Sequence, residues 1–267
     1  MGGNMKNIRL AILNIKKNIK NEKELKSSFV ISIIGMALNN ISFLILWYYF
    51  GKTVGELNGW KPYDIFGLYG ISTTSYGLVM GFFAGMFKIP DYISSGNFDK
   101  YLLTPKNILL KVSTSKIQTS AFGDLLFGIV CFIIFAICNK LTIIQYILSI
   151  LMIIISSIIF YSFGLVCMSI SFYLMDGYNV SNGLLGMFVG NSTYHGGAFT
   201  GILRFIFIFI MPALLLGAIP VEIIKTLSIN NLIMIICIAV FWLIISILFF
   251  YKSLKKYESN NLFGFGG

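Results

Sequence analysis

Apolar residues in this chain fall into runs of about twenty, divided by short polar stretches, where a water-facing helix or strand would carry them on one side only. Read from the N-terminus, the runs predict crossings at 28–50, 63–87, 117–138, 141–175 and 231–251, with a further one starting near Ile202. The first closes on Trp47-Tyr48-Tyr49, an aromatic cluster suited to the headgroup boundary. Ahead of it, Ile8, Ala11, Ile12, Ile15 and Ile19 recur at helical spacing, with Arg9, Lys16, Lys17 and Lys20 on another side. That stripe is too narrow to span, so residues 1–27 are expected to lie flat in the interface with lysines toward anionic headgroups. The fold expected is an all-α membrane protein of six transmembrane helices with an N-terminal amphipathic interfacial helix and both termini cytoplasmic, in one domain over 1–267.

Three connections stand out between the runs. Residues 88–116 hold five lysines, two aspartates and the breakers Pro90, Gly96 and Pro105, and read as a structured cytoplasmic loop. Asn139 and Lys140 alone separate the third and fourth runs, which predicts a tight helical hairpin. The fourth run is long enough for a tilted helix or one broken near Gly164. Residues 176–201, rich in Gly, Asn and Ser, predict irregular backbone or short helices on the cytoplasmic side. The fifth crossing meets Pro212, and Gly217, Pro220 and Glu222 then predict a broken or re-entrant outer end.

Charged residues make up only 11% of the 267 positions and apolar ones 57%, which excludes an ordinary soluble domain. The net charge of +10 does not point to nucleic acid, because the basic residues gather at the ends of apolar runs. Under the topology above, sixteen basic residues fall on the cytoplasmic side against Lys52, Lys61, Lys140 and Lys225 outside, the asymmetry that cytoplasmic loops show. The lysine-studded opening predicts no secretory signal, and Lys6 occupies the place where a myristoylation signal needs Ser or Thr.

The candidate chemistry is sparse. Gly51-Lys52-Thr53 resembles the end of a phosphate loop, yet Leu46 stands where that motif needs its first glycine, so no ATP site is expected in this chain. Cys131, Cys138, Cys167 and Cys237 sit inside apolar runs without zinc spacing, and neither paired histidines nor paired carboxylates offer a metal or acid–base site. Ser192 and His195, three residues apart, are the sole serine–histidine pair to weigh for an intramembrane enzyme. Asp124 lies inside an apolar run, where a carboxylate must face protein or water, and Asn39 and Asn40 are candidate interhelical hydrogen-bond partners. Gly77, Gly81 and Gly85, at four-residue steps, form a small face for close helix approach.

Residues 93–105, Ile93-Ser94-Ser95-Gly96-Asn97-Phe98-Asp99-Lys100-Tyr101-Leu102-Leu103-Thr104-Pro105, followed by Gly123-Asp124-Leu125-Leu126, resemble the permease subunits of bacterial type-2 ATP-binding-cassette exporters. The family pattern is isoleucine, a short gap, glycine, a variable residue, a hydrophobic residue, aspartate, two leucines and proline. Phe209-Ile210-Met211-Pro212-Ala213 and Ala218-Ile219-Pro220 give a second likeness. The chain departs from the pattern at Thr104, where arginine is frequent, and at His195 after Tyr194, where proline is usual. The resemblance implies a permease dimer in the bacterial cytoplasmic membrane, each copy docking a separate ATP-binding subunit through the loop between the second and third spans. ATP would then bind that partner, and this chain would bind no cofactor. Asp91, Gly96, Phe98, Asp99, Tyr101, Leu102, Leu103 and Pro105 are the implied coupling contact, with Phe98, Tyr101 and Leu102 offered to a groove on the ATPase and Asp91 and Asp99 fixing orientation. The first, second and fifth spans are the implied pathway and dimer face. The alternative is a secondary transporter or channel needing no ATPase, in which Asp124 and the asparagines serve an ion.

Overall fold

Six long or medium helices pack around a dense apolar centre in the computed structural model, which describes residues 10–20, 26–103, 107–174 and 176–257. In chain order the helices are α1 (10–20), α2 (Lys26–Val54), α3 (Asp64–Phe83), α4 (Ile89–Ser94), α5 (Asp99–Leu102), α6 (Ile108–Ser113), α7 (Ala121–Cys138), α8 (Ile143–Ser169), α9 (Gly177–Ser192), α10 (Gly201–Phe205), α11 (Ala218–Thr226) and α12 (Ile229–Leu254). No strand forms among the described residues. Among the described residues four stretches are long and apolar enough to cross a membrane: Ser27–Thr53, Ala121–Cys138, Ile143–Phe172 and Ile229–Leu254.

The bundle has two chemically different ends. At one, α4, α5 and α6 meet the end of α12, bringing Lys88, Lys100, Lys111 and Lys116 to the same end as Lys252, Lys255 and Lys256. At the other, the 55–63 loop meets 193–200 and α11. The hairpin of α7 and α8 turns at that second end, with Lys140 in left-handed backbone and Thr142 capping α8.

Helix α3 is the central post, and its contact with α7 depends on absent side chains. A Cβ at Gly128 would come within 2.3 Å of the Thr74 hydroxyl, and one at Gly77 within 2.9 Å of the Ala121 carbonyl. The glycine face expected along α3 is only partly of this kind. Gly81 faces open space, and Gly85 lies beyond α3 in a 3-10 turn, pressed on the Val112 carbonyl of the loop rather than on a spanning helix.

Several boundaries move from the sequence reading. Gly51-Lys52-Thr53 forms the last full turn of α2, so no loop exists there to cradle a phosphate. Helix α8 runs unbroken through Gly164, whose bare Cα makes room for the Phe87 ring. Residues 177–192 are one helix instead of irregular backbone. It begins with Gly177 against Ser171 near the lysine-rich end and finishes near Tyr194, whose ring meets Trp47 at 5.1 Å at the opposite end. Sixteen residues at 1.5 Å each cover about 24 Å, enough for that traverse.

The segment starting near Ile202 does not traverse the bundle. It descends from the second end as α10 and a π-helical turn (Ile206–Ile210), breaks at Pro212, touches bottom in a 3-10 turn (Ala213–Leu216), and climbs back as α11. Arg204 on the way down pairs with Glu222 on the way up at 2.5 Å. Pro212 has no N–H to continue a helix, and the Leu215 carbonyl exposed by the break accepts the Ser156 hydroxyl of α8. The re-entrant reading of this segment therefore describes all of 201–226. Arg204, counted on the cytoplasmic side, sits at the opposite end.

Candidate functional site

Two places in the structure gather the residues singled out from sequence. The first is a cavity of about 250 Å³ enclosed by α2, α3, α7, the end of α9 and the 3-10 turn at Leu216. Asp124 enters it from the first turn of α7 and is almost wholly buried, at 1% exposure. Asn40, near the middle of α2, donates its amide to Asp124 Oδ1 at 2.6 Å, so two polar residues 84 positions apart share one bond. Asp124 Oδ2 has no partner. Asn39 lines the mouth but is exposed, because one step along a helix turns a side chain by about 100°.

Sequence reasoning did not single out the rest of the cavity's polar wall. Tyr69, Ser72 and Thr73 of α3 and Thr193 after α9 supply it. The signal was present: Ser72-Thr73-Thr74-Ser75 is a run of four hydroxyls inside an apolar stretch. Each of Ser72, Thr73 and Thr74 donates to the carbonyl four residues back, which is how a hydroxyl is accommodated where water is absent.

The second place is the folded loop at the lysine-rich end. Its geometry turns on Gly96, whose φ of +68° reverses the chain and lets the Phe98 amide reach the Tyr92 carbonyl at 3.0 Å. Phe98 then points inward, fully buried against Tyr101, Phe172 and Tyr257 with centroids 5.1–5.9 Å apart. Tyr101 follows it and stacks with Tyr92 at 5.3 Å. The expected presentation of Phe98 and Tyr101 to a partner is thus corrected: both rings are committed to holding the loop on the bundle. Leu102 at 41% exposure and Leu103 at 82% are the apolar side chains left outside.

Around this core, Lys100 lies over the rings of Tyr92 and Tyr101, and Lys111 caps the Lys100 carbonyl at 3.0 Å. Asp91 pairs with Lys88 at 3.0 Å, and its carbonyl accepts the Ser95 hydroxyl at 2.7 Å. Asp99 lies beside the Tyr257 hydroxyl. Burial first, and the Asp99 carboxylate second, push that phenol upward from its ordinary range. Pro105 lies outside the described residues. Helix α1 leans on the same platform, with Asn14 and Asn18 donating to Thr114 at 3.3 and 3.2 Å, while Lys16, Lys17 and Lys20 stay exposed.

Residues 36–261 match the family model described as ABC-2 family transporter protein. The chain belongs to that family. It is an ABC-2 type permease subunit, a membrane transport component. No curated protein and no solved structure matches it.

In this permease the second end is closed by polar bonds between distant segments. Trp60 donates its indole N–H to Glu222 at 3.1 Å, Asn58 donates to the Gly197 carbonyl at 2.8 Å, and Lys225 pairs with buried Asp64 while also donating to the Gly59 carbonyl at 3.0 Å. His195 sits among them, its ring 5.1 Å from that of Trp60 and its Nδ1 accepting the Gly197 amide at 3.2 Å. Burial lowers the histidine's pKa from its usual value, with Asp64 opposing and Lys225 reinforcing the shift. Ser192 donates to the Val189 carbonyl instead, so the serine–histidine pair weighed from sequence is not hydrogen-bonded as a nucleophile and base. Among the described residues no cluster suited to a metal ion occurs.

Proposed function

We propose that this permease is the membrane-spanning half of an ATP-driven exporter, working as a dimer with a separate ATP-binding subunit docked on each 88–116 platform. Its six crossings are α2, α3, α7, α8, α9 and α12, the 201–226 hairpin dips in from the outer side, and both termini lie in the bacterial cytoplasm. Membership of the ABC-2 family carries this reading, and the platform's construction supports it. An aromatic-knit block bound to α3, α8 and α12, with Leu102 and Leu103 at its tip, suits a part that receives a push and passes it on as a rigid body. Moving Arg204 to the outer side leaves fifteen basic residues inside against five outside, still the expected asymmetry. The exposed apolar face of α2, with Ile31, Leu38 and Leu46, supports a neighbouring permease there, and the cavity at Asp124 is the start of a route that the pair completes.

Co-expression with its ABC ATP-binding subunit is expected to yield a stable complex that hydrolyses ATP, while the permease alone does not. In a background with the four native cysteines replaced by alanine, Leu103→Cys is expected to react with a membrane-impermeant thiol reagent from the cytoplasmic side alone. Labelling from outside would overturn the proposed orientation and with it the docking site. Ion-driven transport by the permease alone in liposomes would favour the ATPase-independent reading, for which the buried Asp124 is the supporting observation.

A further inference from the structure

We propose that the Asp124 cavity binds an organic ammonium carried on an apolar, aromatic body, and that this is the substrate class of the transport route; the second part rests on the exporter reading above. The argument is a count of donors and acceptors. Ser72 and Thr73 give their hydroxyl hydrogens to the Leu68 and Tyr69 carbonyls at 2.7 and 2.5 Å, and Ser192 and Thr193 give theirs to Val189 and Gly190 at 2.7 and 2.8 Å. Their oxygens have only lone pairs left to offer. Asp124 spends Oδ1 on Asn40 and keeps Oδ2 unpartnered, while the buried Tyr69 hydroxyl lies beside Thr193. Among the described residues no lysine, arginine or histidine lines the cavity.

A wall of this kind is rich in lone pairs and holds a carboxylate with no cation beside it among the described residues. An ammonium supplies up to three donors, no acceptor and one positive charge. A carboxylate ligand would meet Asp124 as a like charge, and a neutral alcohol supplies a single donor and leaves the carboxylate uncompensated. Of the remaining walls, Met36, Phe43, Val189 and Leu216 are apolar, Tyr76 adds an aromatic ring with its hydroxyl and Asn39 an amide at the mouth, a surface that suits the body of an aromatic ligand. A bare alkali cation would satisfy Asp124 but leave those walls unused.

The test uses the full chain in lipid nanodiscs without any ATPase, titrated calorimetrically with phenethylammonium and with its neutral isostere 2-phenylethanol. The ammonium is expected to bind about tenfold tighter or more, the scale of one charge-assisted bond. Asp124→Asn is expected to bring the two ligands within about twofold of each other, and Tyr69→Phe to weaken the ammonium while keeping its preference. Equal binding of the two ligands by the unaltered protein overturns the proposal without recourse to any variant. Survival of the preference in Asp124→Asn, or displacement of the ammonium by sodium at equal concentration, overturns it as well. Because no ATPase is present, a failed complex with an ATP-binding subunit sinks the exporter reading and leaves this site standing, whereas loss of ammonium preference in a permease that does form the complex sinks the site alone.

Discussion

The two ends of the bundle are closed by different physics. At the end where the 55–63 loop meets α11, segments 139–162 residues apart meet through ion pairs and single hydrogen bonds: Lys225 with Asp64, Trp60 with Glu222, Asn58 with Gly197. At the lysine-rich end the closure is made by rings, with Phe98 set among Tyr101, Phe172 and Tyr257, and the charges are left outside. Ring packing is short-ranged and collective, so a block held that way moves as one piece. Polar clasps are discrete bonds that break one at a time and have alternative partners in water. The difference predicts that the ring-packed end responds to a substitution as one unit and the clasped end bond by bond.

Removing one partner from the buried clasp is expected to have the largest effect. Lys225→Met leaves Asp64 buried without its cation and is expected to cost about 3–5 kcal/mol, read as a lowered unfolding midpoint of the purified permease. No loss of stability would show that the clasped end is not held by this pair. Next comes Phe98→Leu, which keeps most of the apolar volume but forfeits three ring contacts, for about 1–2 kcal/mol. If its loss equalled that of Lys225→Met, the contrast between the ends would be one of chemistry only, not of strength.

Acid should loosen the end that holds His195. The pKa of His195 is lowered in the folded protein, so the unfolded chain takes up a proton that the folded one resists, and the stability present above an unfolded value of about 6.5 is lost as pH falls below it. The unfolding midpoint is expected to drop between about pH 7.5 and pH 5.5, and His195→Gln to flatten that drop. A drop of the same size in the variant would assign the acid sensitivity elsewhere. The smallest effect on stability belongs to Leu103→Ser, within about 0.5 kcal/mol since the side chain is almost fully exposed. The same variant is expected to reduce recovery of the ATP-binding subunit, and unchanged recovery would remove Leu103 from the docking surface.

Much of this was legible in the chain itself. Helices α2, α7, α8 and α12 follow from runs of apolar residues long enough to need lipid, and the hairpin between α7 and α8 from the two polar residues that separate them. The polarity of 88–116, the break at Pro212 and the burial of Asp124 follow from residue chemistry alone. Helix α9 was not legible, because Gly183, Gly186 and Gly190 weaken a helix in water by about 1 kcal/mol each. Packed on α8 and on the 3-10 turn at 213–216, the segment is helical regardless.

What the sequence determined by itself is which segments must leave water and which polar groups need partners, since both are properties of single residues and their neighbours in the chain. Only the tertiary structure decided that Asn40 is the partner of Asp124, that Phe98 faces inward while Leu103 faces out, and that 201–226 returns to the end it came from. Those outcomes depend on which helix surfaces meet, and the meeting is fixed by close packing at a few bare positions such as Gly77 and Gly128, whose effect lies across the interface rather than along the chain.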